Sequence, residues 1–286
     1  MKAEHDYLRA RSLLAVFAHP DDESLACGGL LAWCAHLGAR VSVCCATAGE
    51  LGQTAGMGSS SECGPADVRR ARLQELRNAA RILGVTSLVF LDYEDGMLPW
   101  ADPERLEADI RTTIARLRPD VVITFGEDGL YGHPDHIAIY ERTTAAVAGL
   151  GEDAPALYYV TMPSGGMRKV VRHVAATRVA QGIRGEAPHK ILGIADADAF
   201  GALAAPPTLV VEVGRFAARK LAAIKCHQTQ LEDDALALVA ARDAAHLLGT
   251  EQFHRADVGS RRDTFIERFA SNLRSRVHRS QSSIRS

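Results

Sequence analysis

The stretch "VFAHPDDESLACGG", residues 16–29, ends an apolar run with a histidine, a proline and three consecutive acidic residues. Residues 12–18 predict a strand that is covered on both faces, because such strands are near-continuous apolar runs. Residues 23–37 predict the helix that follows. In open parallel sheets, ligands bind outside the carboxyl ends of the strands, where loops lead into helices. The stretch therefore predicts the first strand and helix of an α/β sheet, with a polar cluster at the edge where a ligand would bind.

The alternation of short apolar runs with longer helical patterns continues to about residue 150, which is typical of βαβ units. We expect further strands at 40–47, 86–92 and 120–125, and further helices at 66–83, 103–117 and 135–149. Asp102 before Pro103 is a plausible N-cap, and Gly84 can take the left-handed conformation that ends a helix. The expected fold class is α/β: a Rossmann-like, mainly parallel sheet with helices on both faces.

The alternation of apolar runs with helical patterns becomes less regular after residue 150. We expect two more strands and one helix, at 158–163, 206–213 and 214–226. Residues 163–205 show no sustained periodicity and are interpreted as a lid or insertion over a site. Residues 1–260 are expected to form a single domain. Residues 261–286 are expected to form a short helix and an Arg/Ser-rich tail.

Composition limits the class of protein. Hydrophobic residues make up 47% of the chain and charged residues 24%, which is ordinary for a globular protein with a sizeable core. The formal net charge of -2 supplies no overall field for holding nucleic acid or an anionic membrane. The mixed-charge N-terminus fits neither a secretory signal nor a membrane span, so we expect a cytoplasmic protein. The six cysteines form no CxxC pair, and we expect reduced thiols.

The acidic cluster of residues 19–23 has a structural explanation and a chemical one. Asp21 or Asp22 could cap the next helix, with the acidic charges complementing its dipole. Capping accounts for one acid, but not for a histidine followed by crowded like charges. A divalent cation would neutralise the acids, and His nitrogen and carboxylate oxygen are both good zinc ligands.

A second polar cluster follows the fourth predicted strand. In "GLYGHPDHIAIY", residues 129–140, His133 and His136 lie three residues apart at a helix start, with Asp135 between them. The ends of strands that are distant in sequence can lie side by side in a doubly wound sheet. We therefore expect the two clusters to face each other and to complete one metal site.

The paired motifs "AHPDDE" and "HPDH" resemble those of the LmbE/PIG-L family of zinc-dependent deacetylases, which act on N-acetylglucosaminyl compounds. The resemblance covers residues 12–150. It implies that His19, Asp22 and His136 bind one zinc ion, which leaves a coordination position open as in catalytic zinc sites. It also implies that Asp21 is the general base, which takes a proton from water. Such a donor set also accepts Fe²⁺ or Co²⁺.

Further roles follow from chemistry and from the same resemblance. His133 would act as acid or oxyanion stabiliser, and Asp135 would orient a histidine from behind. The resemblance implies that Glu50, Arg72 and Asp95 contact an amino-sugar substrate. Glu23 is expected to serve at the helix start or to contact the residues that touch the metal, and His227 is assigned no role beyond such a contact. The partner is expected to be a small molecule, and the sequence leaves open whether the chain is a homo-oligomer.

Other functions are weighed against this one. A nucleotide-binding module lacks support because no G-x-G-x-x-G opens the first helix and an acidic turn would repel a pyrophosphate. No G-x-S-x-G follows a strand, which disfavours a serine hydrolase. The strongest competitor keeps the zinc site and changes the amide: a mycothiol S-conjugate amidase or a deacylase of an antibiotic precursor. A scaffold that retains metal without turnover is disfavoured because Asp21 and His133 are both present.

Overall fold

A seven-stranded sheet forms the centre of the computed structural model, which describes residues 8–57 and 63–267. Its strand order is β3-β2-β1-β4-β5-β7-β6. The strands are β1 Ser12–Phe17, β2 Arg40–Thr47, β3 Ser87–Tyr93, β4 Val121–Thr124, β5 Ala156–Thr161, β6 Leu209–Glu212 and β7 Thr250–Gly259. The first five strands run parallel, and β7 runs antiparallel to both β5 and β6. The expected α/β class with a mainly parallel sheet is confirmed.

Six helices of at least two turns pack around this sheet within the described part of the chain. They are α1 Asp22–His36, α2 Pro65–Leu83, α3 Pro103–Leu117, α4 Pro134–Ala148, α5 Gly166–Ala180 and α6 Ala217–Ile224. Shorter helical segments are Leu98–Trp100, Gly129–Gly132, Gly151–Asp153, Gly214–Phe216, Gln228–Gln230, Ala235–Leu238, Ala241–Asp243 and Ala244–Leu248. None of the helices in the described ranges is long and apolar enough to cross a membrane.

The boundary signals read from the sequence act as expected. The Asp102 side chain accepts hydrogen bonds from the backbone N–H groups of Glu104 and Arg105 at the start of α3. Gly84 ends α2 in the left-handed conformation at φ 79°. Local chemistry therefore sets where these two helices begin and end.

The order of the strands brings the two polar motifs together. β1 pairs with β2 on one side and with β4 on the other, with Ala15 opposite Ile123. The chain thus winds in opposite directions from β1, and the loops that leave β1 and β4 diverge from adjacent strand ends. A crevice at such a switch point is where open α/β sheets bind ligands.

Two elements of the C-terminal half differ from expectation. Residues 163–205 are not free of regular structure, because α5 lies within them. Its buried positions Met167, Val170 and Val174 form a narrow stripe that the surrounding charged residues and alanines obscure. β7 was not predicted, since its ten residues include six polar ones and only part of the strand is buried. Residues 265–267 are helical, and the rest of the expected terminal helix and tail, residues 268–286, lies outside the described part.

Candidate active site

The two motifs meet at the ends of β1 and β4. His19 follows β1, and its Nδ1 lies 3.2 Å from Nε2 of His136, in the first turn of α4. Asp22 Oδ1 lies 3.2 Å from the same His136 nitrogen, and Asp22 Oδ2 lies 3.6 Å from His19 Nδ1. The ligand atoms of one tetrahedral zinc ion stand about 3.3–3.6 Å apart, given bonds of about 2.0–2.2 Å. The spacing and chemistry of these three donors therefore fit zinc.

The residues around His136 fix the orientation of its ring. His136 is fully buried, and its Nδ1 lies 3.1 Å from the carbonyl oxygen of Gly129. The Phe125 ring stacks on the imidazole with centroids 3.9 Å apart. Because Nδ1 is engaged with a carbonyl, Nε2 is left as the atom that faces His19 and Asp22, which is how metal-binding histidines are commonly oriented.

The far nitrogen of His19 meets two carboxylates. Its Nε2 lies 3.0 Å from Oδ2 of Asp135 and 3.1 Å from Oδ1 of Asp95. Burial alone would lower the pKa of His19, but hydrogen bonds to Asp135, Asp22 and Asp95 outweigh it and raise that pKa well above its ordinary value. Burial would likewise raise the pKa of Asp22, but His136 and His19 hold it well below the usual range. The carboxylates of this cluster therefore favour a nearby positive charge, which a protonated histidine or a bound cation can supply.

Another grouping of donors is present at the same place. Donor atoms of His19, His133 and His136 lie within 4.8 Å of one another. However, His133 Nδ1 already accepts a hydrogen bond of 3.1 Å from the backbone N–H of Asp135. Asp22, with a strongly lowered carboxyl pKa and two contacts to the histidines, is the better third donor.

Asp21 does not cap the helix that it precedes. It has φ 113°, and its side chain makes no capping hydrogen bond. The carboxylate instead lines the pocket and accepts a hydrogen bond of 3.0 Å from Arg72 Nη2. Burial and the charge of Asp22 raise its pKa to about 7, although Arg72 opposes the shift. The capping explanation for Asp21 is therefore wrong, and its carboxyl group has the acidity of a proton acceptor that works near neutral pH.

His133 faces the same pocket from the start of α4. Burial, followed by the neighbouring His136 and His19, lowers its pKa to about 4, so the ring is neutral at pH 7. Since its Nδ1 accepts a hydrogen bond from the backbone of Asp135, the proton of the neutral ring resides on Nε2. The exposed nitrogen of His133 is therefore a hydrogen-bond donor.

A cavity of about 410 Å³ opens above these residues. Its polar lining includes Arg72, Gln53 and Gln230, besides His19, Asp21, Asp22 and His133. Its apolar lining includes Leu25, Leu130, Tyr131, Leu192, Ile194 and Phe200. Three of these residues come from the segment 163–205, which was expected to lie over a site.

The three residues expected to contact substrate occupy different positions. Asp95 lines the cavity and accepts a hydrogen bond of 2.9 Å from the backbone N–H of Leu51. Arg72 also lines it, but its guanidinium is buried and donates to the carbonyl oxygens of Pro20 and Gly49, at 2.7 Å each, as well as to Asp21. Glu50 is not among the lining residues, and its Oε1 accepts from the backbone N–H of Asp95 at 3.1 Å. Substrate contact by these residues stays a prediction.

Sequence reasoning missed several residues of this region. Gln230 and Gln53 both line the cavity. The Gln230 side chain accepts a hydrogen bond from the backbone N–H of Gln53 at 3.1 Å and donates one to the carbonyl oxygen of Gln53 at 2.9 Å. Gln230 belongs to "CHQTQ", residues 226–230, so that short polar run was a usable signal. The apolar wall, formed by Leu192, Ile194 and Phe200, could not be predicted, because no pattern in the sequence indicates that these residues line the same cavity as His19.

Comparison with known proteins agrees with the motifs. The model of the GlcNAc-PI de-N-acetylase family, PIG-L, matches residues 14–147. The chain is 35% identical over 249 residues to a 1D-myo-inositol 2-acetamido-2-deoxy-alpha-D-glucopyranoside deacetylase of Nakamurella multipartita, covering 77% of this chain and 80% of the relative.

Two solved structures share the fold. An N,N'-diacetylchitobiose deacetylase from Pyrococcus horikoshii superposes with a TM-score of 0.57 at 21% identity, over 89% of this chain and 92% of the other. A 4-carboxy-2-hydroxymuconate hydratase from Pseudomonas putida superposes with a TM-score of 0.59 at 20% identity, over 89% of this chain and 99% of the other. The fold thus also occurs in a protein that is named for a different reaction, so function must be argued from the site.

Proposed function

The chain belongs to the PIG-L family of de-N-acetylases, and from this premise we propose that it is a zinc-dependent hydrolase that removes an N-acetyl group from a small molecule containing an amino sugar. The observation that carries the proposal is the convergence of His19, Asp22 and His136 beside the Asp21 carboxylate, which lines the cavity. Three protein ligands with an open side are typical of catalytic zinc.

In this proposal the metal is held by His19, Asp22 and His136, with Asp135 hydrogen-bonded to the far side of His19. Bound zinc supplies an activated water and polarises the carbonyl oxygen of the amide. Asp135 also accepts backbone N–H groups of Gly96 and Leu98, so it ties the orientation of His19 to the loop after β3. The same donor atoms would accept Fe²⁺ or Co²⁺, and the metal content of the purified protein decides among them.

Asp21 and His133 have different roles in the proposed reaction. Asp21 accepts the proton of the attacking water and returns it to the departing amine, since amines leave as neutral molecules only after protonation. The Nε2–H of His133 donates a hydrogen bond to the oxygen that becomes negative in the tetrahedral intermediate. The tautomer of His133 supports this role over that of the acid, because the neutral ring carries its single proton on Nε2 and the residue lines the cavity.

Purified protein tests the proposal directly. Amine release from a panel of N-acetylglucosaminyl compounds is measured before and after chelation, and metal content is determined by mass spectrometry. We expect about one zinc per chain and turnover that chelation abolishes and zinc restores. Asp21→Ala should keep the metal and lose roughly 10²–10⁴-fold in kcat, the usual value of general acid–base catalysis. His19→Ala should lose both metal and activity. A fully active Asp21→Ala would contradict the base assignment.

A second candidate keeps the zinc site and changes the acyl group or the amine that flanks the amide. The apolar wall at Leu192, Ile194 and Phe200 favours it, because a compact polar sugar alone would leave this surface unused. The candidate is a related amide hydrolase, such as a mycothiol S-conjugate amidase or a deacylase of an antibiotic precursor. Rates with N-acetyl, N-butanoyl and N-octanoyl versions of one amino sugar separate the two: a preference for the longer chains selects the second candidate.

A further inference from the structure

A buried polar cluster lies behind Asp21, outside the residues that line the cavity. It consists of Glu23, Ser24 and His227, whose residues are at most 1% exposed. Glu23 Oε1 accepts a hydrogen bond of 2.5 Å from the Ser24 hydroxyl and lies 3.2 Å from Nε2 of His227. Burial would lower the pKa of His227, but the Glu23 carboxylate outweighs it and raises that pKa. Burying a charged carboxylate is costly even when it is paired, and we therefore ask what this cluster does for the site.

The second oxygen of Glu23 connects the cluster to Asp21. Glu23 Oε2 accepts a hydrogen bond of 3.0 Å from the backbone N–H of Asp21. Asp21 has φ 113°, in the region that favours glycine, and such a conformation persists only where neighbouring groups enforce it. Glu23 is the second residue of α1, and its bond to the N-cap amide resembles the half of a capping box that a carboxylate one residue later would supply. Here the other half is missing, because the Asp21 side chain is turned away from the helix.

We propose that Glu23 and His227 are positioning residues for the general base: they hold the backbone of Asp21 so that its carboxylate faces the cavity instead of capping α1. This inference rests on the proposed function, since it takes Asp21 as the base. Arg72 fixes the other end of the same residue by donating to the Asp21 carboxylate. Backbone and side chain of Asp21 are thus held by separate groups, with His227 Nε2 anchoring Glu23 from 204 positions further along the chain.

Loss of Glu23 or His227 should change kcat and leave KM and zinc content nearly unchanged. Glu23 and His227 do not line the cavity and are not among the donors described above. Their loss should therefore leave the substrate and metal contacts in place. A displaced Asp21 would accept the proton from water less effectively. Displacement of a catalytic group by about 1 Å can cost roughly 10²-fold in rate. The expected signature is a lower kcat with KM and zinc content nearly unchanged.

Four variants of the zinc-loaded, full-length protein test the proposal. Glu23→Met removes both acceptor oxygens at similar volume, and Glu23→Gln keeps one oxygen for the Asp21 amide. His227→Phe removes the anchoring N–H and keeps a ring. Glu251→Gln is the matched control, because Glu251 is also buried and accepts backbone N–H groups of α1, those of Gly29 and Leu30, but far from Asp21.

We expect Glu23→Met to lower kcat by about 10- to 100-fold with KM changed less than about twofold. Glu23→Gln should recover most of that loss, and His227→Phe should lower kcat by several-fold. The Glu251→Gln control should unfold more easily than wild type but keep its kcat. A wild-type kcat in either Glu23→Met or His227→Phe, or an equal loss in Glu251→Gln, would overturn the proposal. His227→Phe decides the matter if Glu23→Met does not fold.

Asp21→Asn, measured in the same assay, separates this inference from the function on which it rests. An inactive Asp21→Asn that retains zinc supports the base assignment, and the cluster variants then test positioning alone. An active Asp21→Asn would refute the base assignment, and with it the positioning proposal, whatever the cluster variants show.

Discussion

Asp135 allows a test of how the proposed metal site is held, because its carboxylate is fully buried and has three hydrogen-bond partners. Oδ2 lies 3.0 Å from His19 Nε2 and accepts the backbone N–H of Gly96 at 2.8 Å. Oδ1 accepts the backbone N–H of Leu98 at 3.2 Å. Asp135→Ala removes all three interactions at once. The loss is therefore both structural, at the loop after β3, and functional, at the orientation of His19.

The structural part can be given a magnitude. The buried backbone N–H of Leu98 loses its acceptor, which costs about 1–3 kcal/mol, whereas Gly96 is exposed and water can replace the lost acceptor there. Asp135→Ala should therefore lower the free energy of unfolding of the metal-free protein by about 1–3 kcal/mol, a sizeable share of the 5–15 kcal/mol that is typical of a domain. Asp135→Asn, which has nearly the same volume and keeps one acceptor oxygen, should lose about half as much.

Urea denaturation in the presence of a chelator measures this term without the contribution of metal. Zinc affinity, determined separately with a competing chelator, should fall by roughly 10- to 100-fold in both variants, as for other partners of metal-binding histidines. An Asp135→Ala protein as stable as wild type in chelator, within about 0.5 kcal/mol, would refute the reasoning, because the buried amide of Leu98 cannot lose its partner at no cost.

Further predictions concern the pocket and stability. Gly49→Ala should lower both kcat and the melting temperature, because Gly49 has φ +67° and a Cβ there would lie 2.2 Å from Arg72 Nη1, displacing the partner of Asp21. Phe200→Ala, measured by steady-state kinetics, should raise KM with zinc content unchanged, since the ring lines the cavity and packs on Tyr131. Chelation should lower the unfolding free energy by about 4 kcal/mol relative to protein held at a thousandfold excess of zinc over its Kd, as calorimetry can check. Burial raises the pKa of Asp234 from 3.8 to about 6, so its protonated form contributes stability that is present below about pH 4 and is lost as pH rises through 6; Asp234→Asn should remove this part of the pH dependence in urea titrations, at most about 3 kcal/mol.

The extent to which the sequence predicted the site varies by residue. The motif residues at 19–22 and 133–136 were identified because each ends a buried strand with polar side chains, and the strand order then brought them within 3.2 Å of each other. Arg72 was expected to contact substrate, yet its buried guanidinium is engaged with Asp21 and two carbonyl oxygens. Its position in an amphipathic helix cannot reveal partners that lie 23 and 52 residues away along the chain.

The fold shows the same division. Strands β1 to β5 and the helices between them were predictable because hydrophobic periodicity and capping residues act over a few neighbouring positions. The strand β7 and the helix α5 were missed, since one is a partly exposed polar strand and the other buries only a narrow stripe.

The sequence by itself determined the α/β class, the approximate boundaries of α1 to α4 and the identity of the polar residues that end β1 and β4. Only the tertiary structure decided that Asp21 is released from capping, that Glu23 and His227 lie behind it, and that residues 192–200 form one wall of the cavity. The physical reason is that propensity and periodicity are local properties of the chain. Which buried carboxylate finds which partner depends instead on the packing of segments that lie up to 204 positions apart.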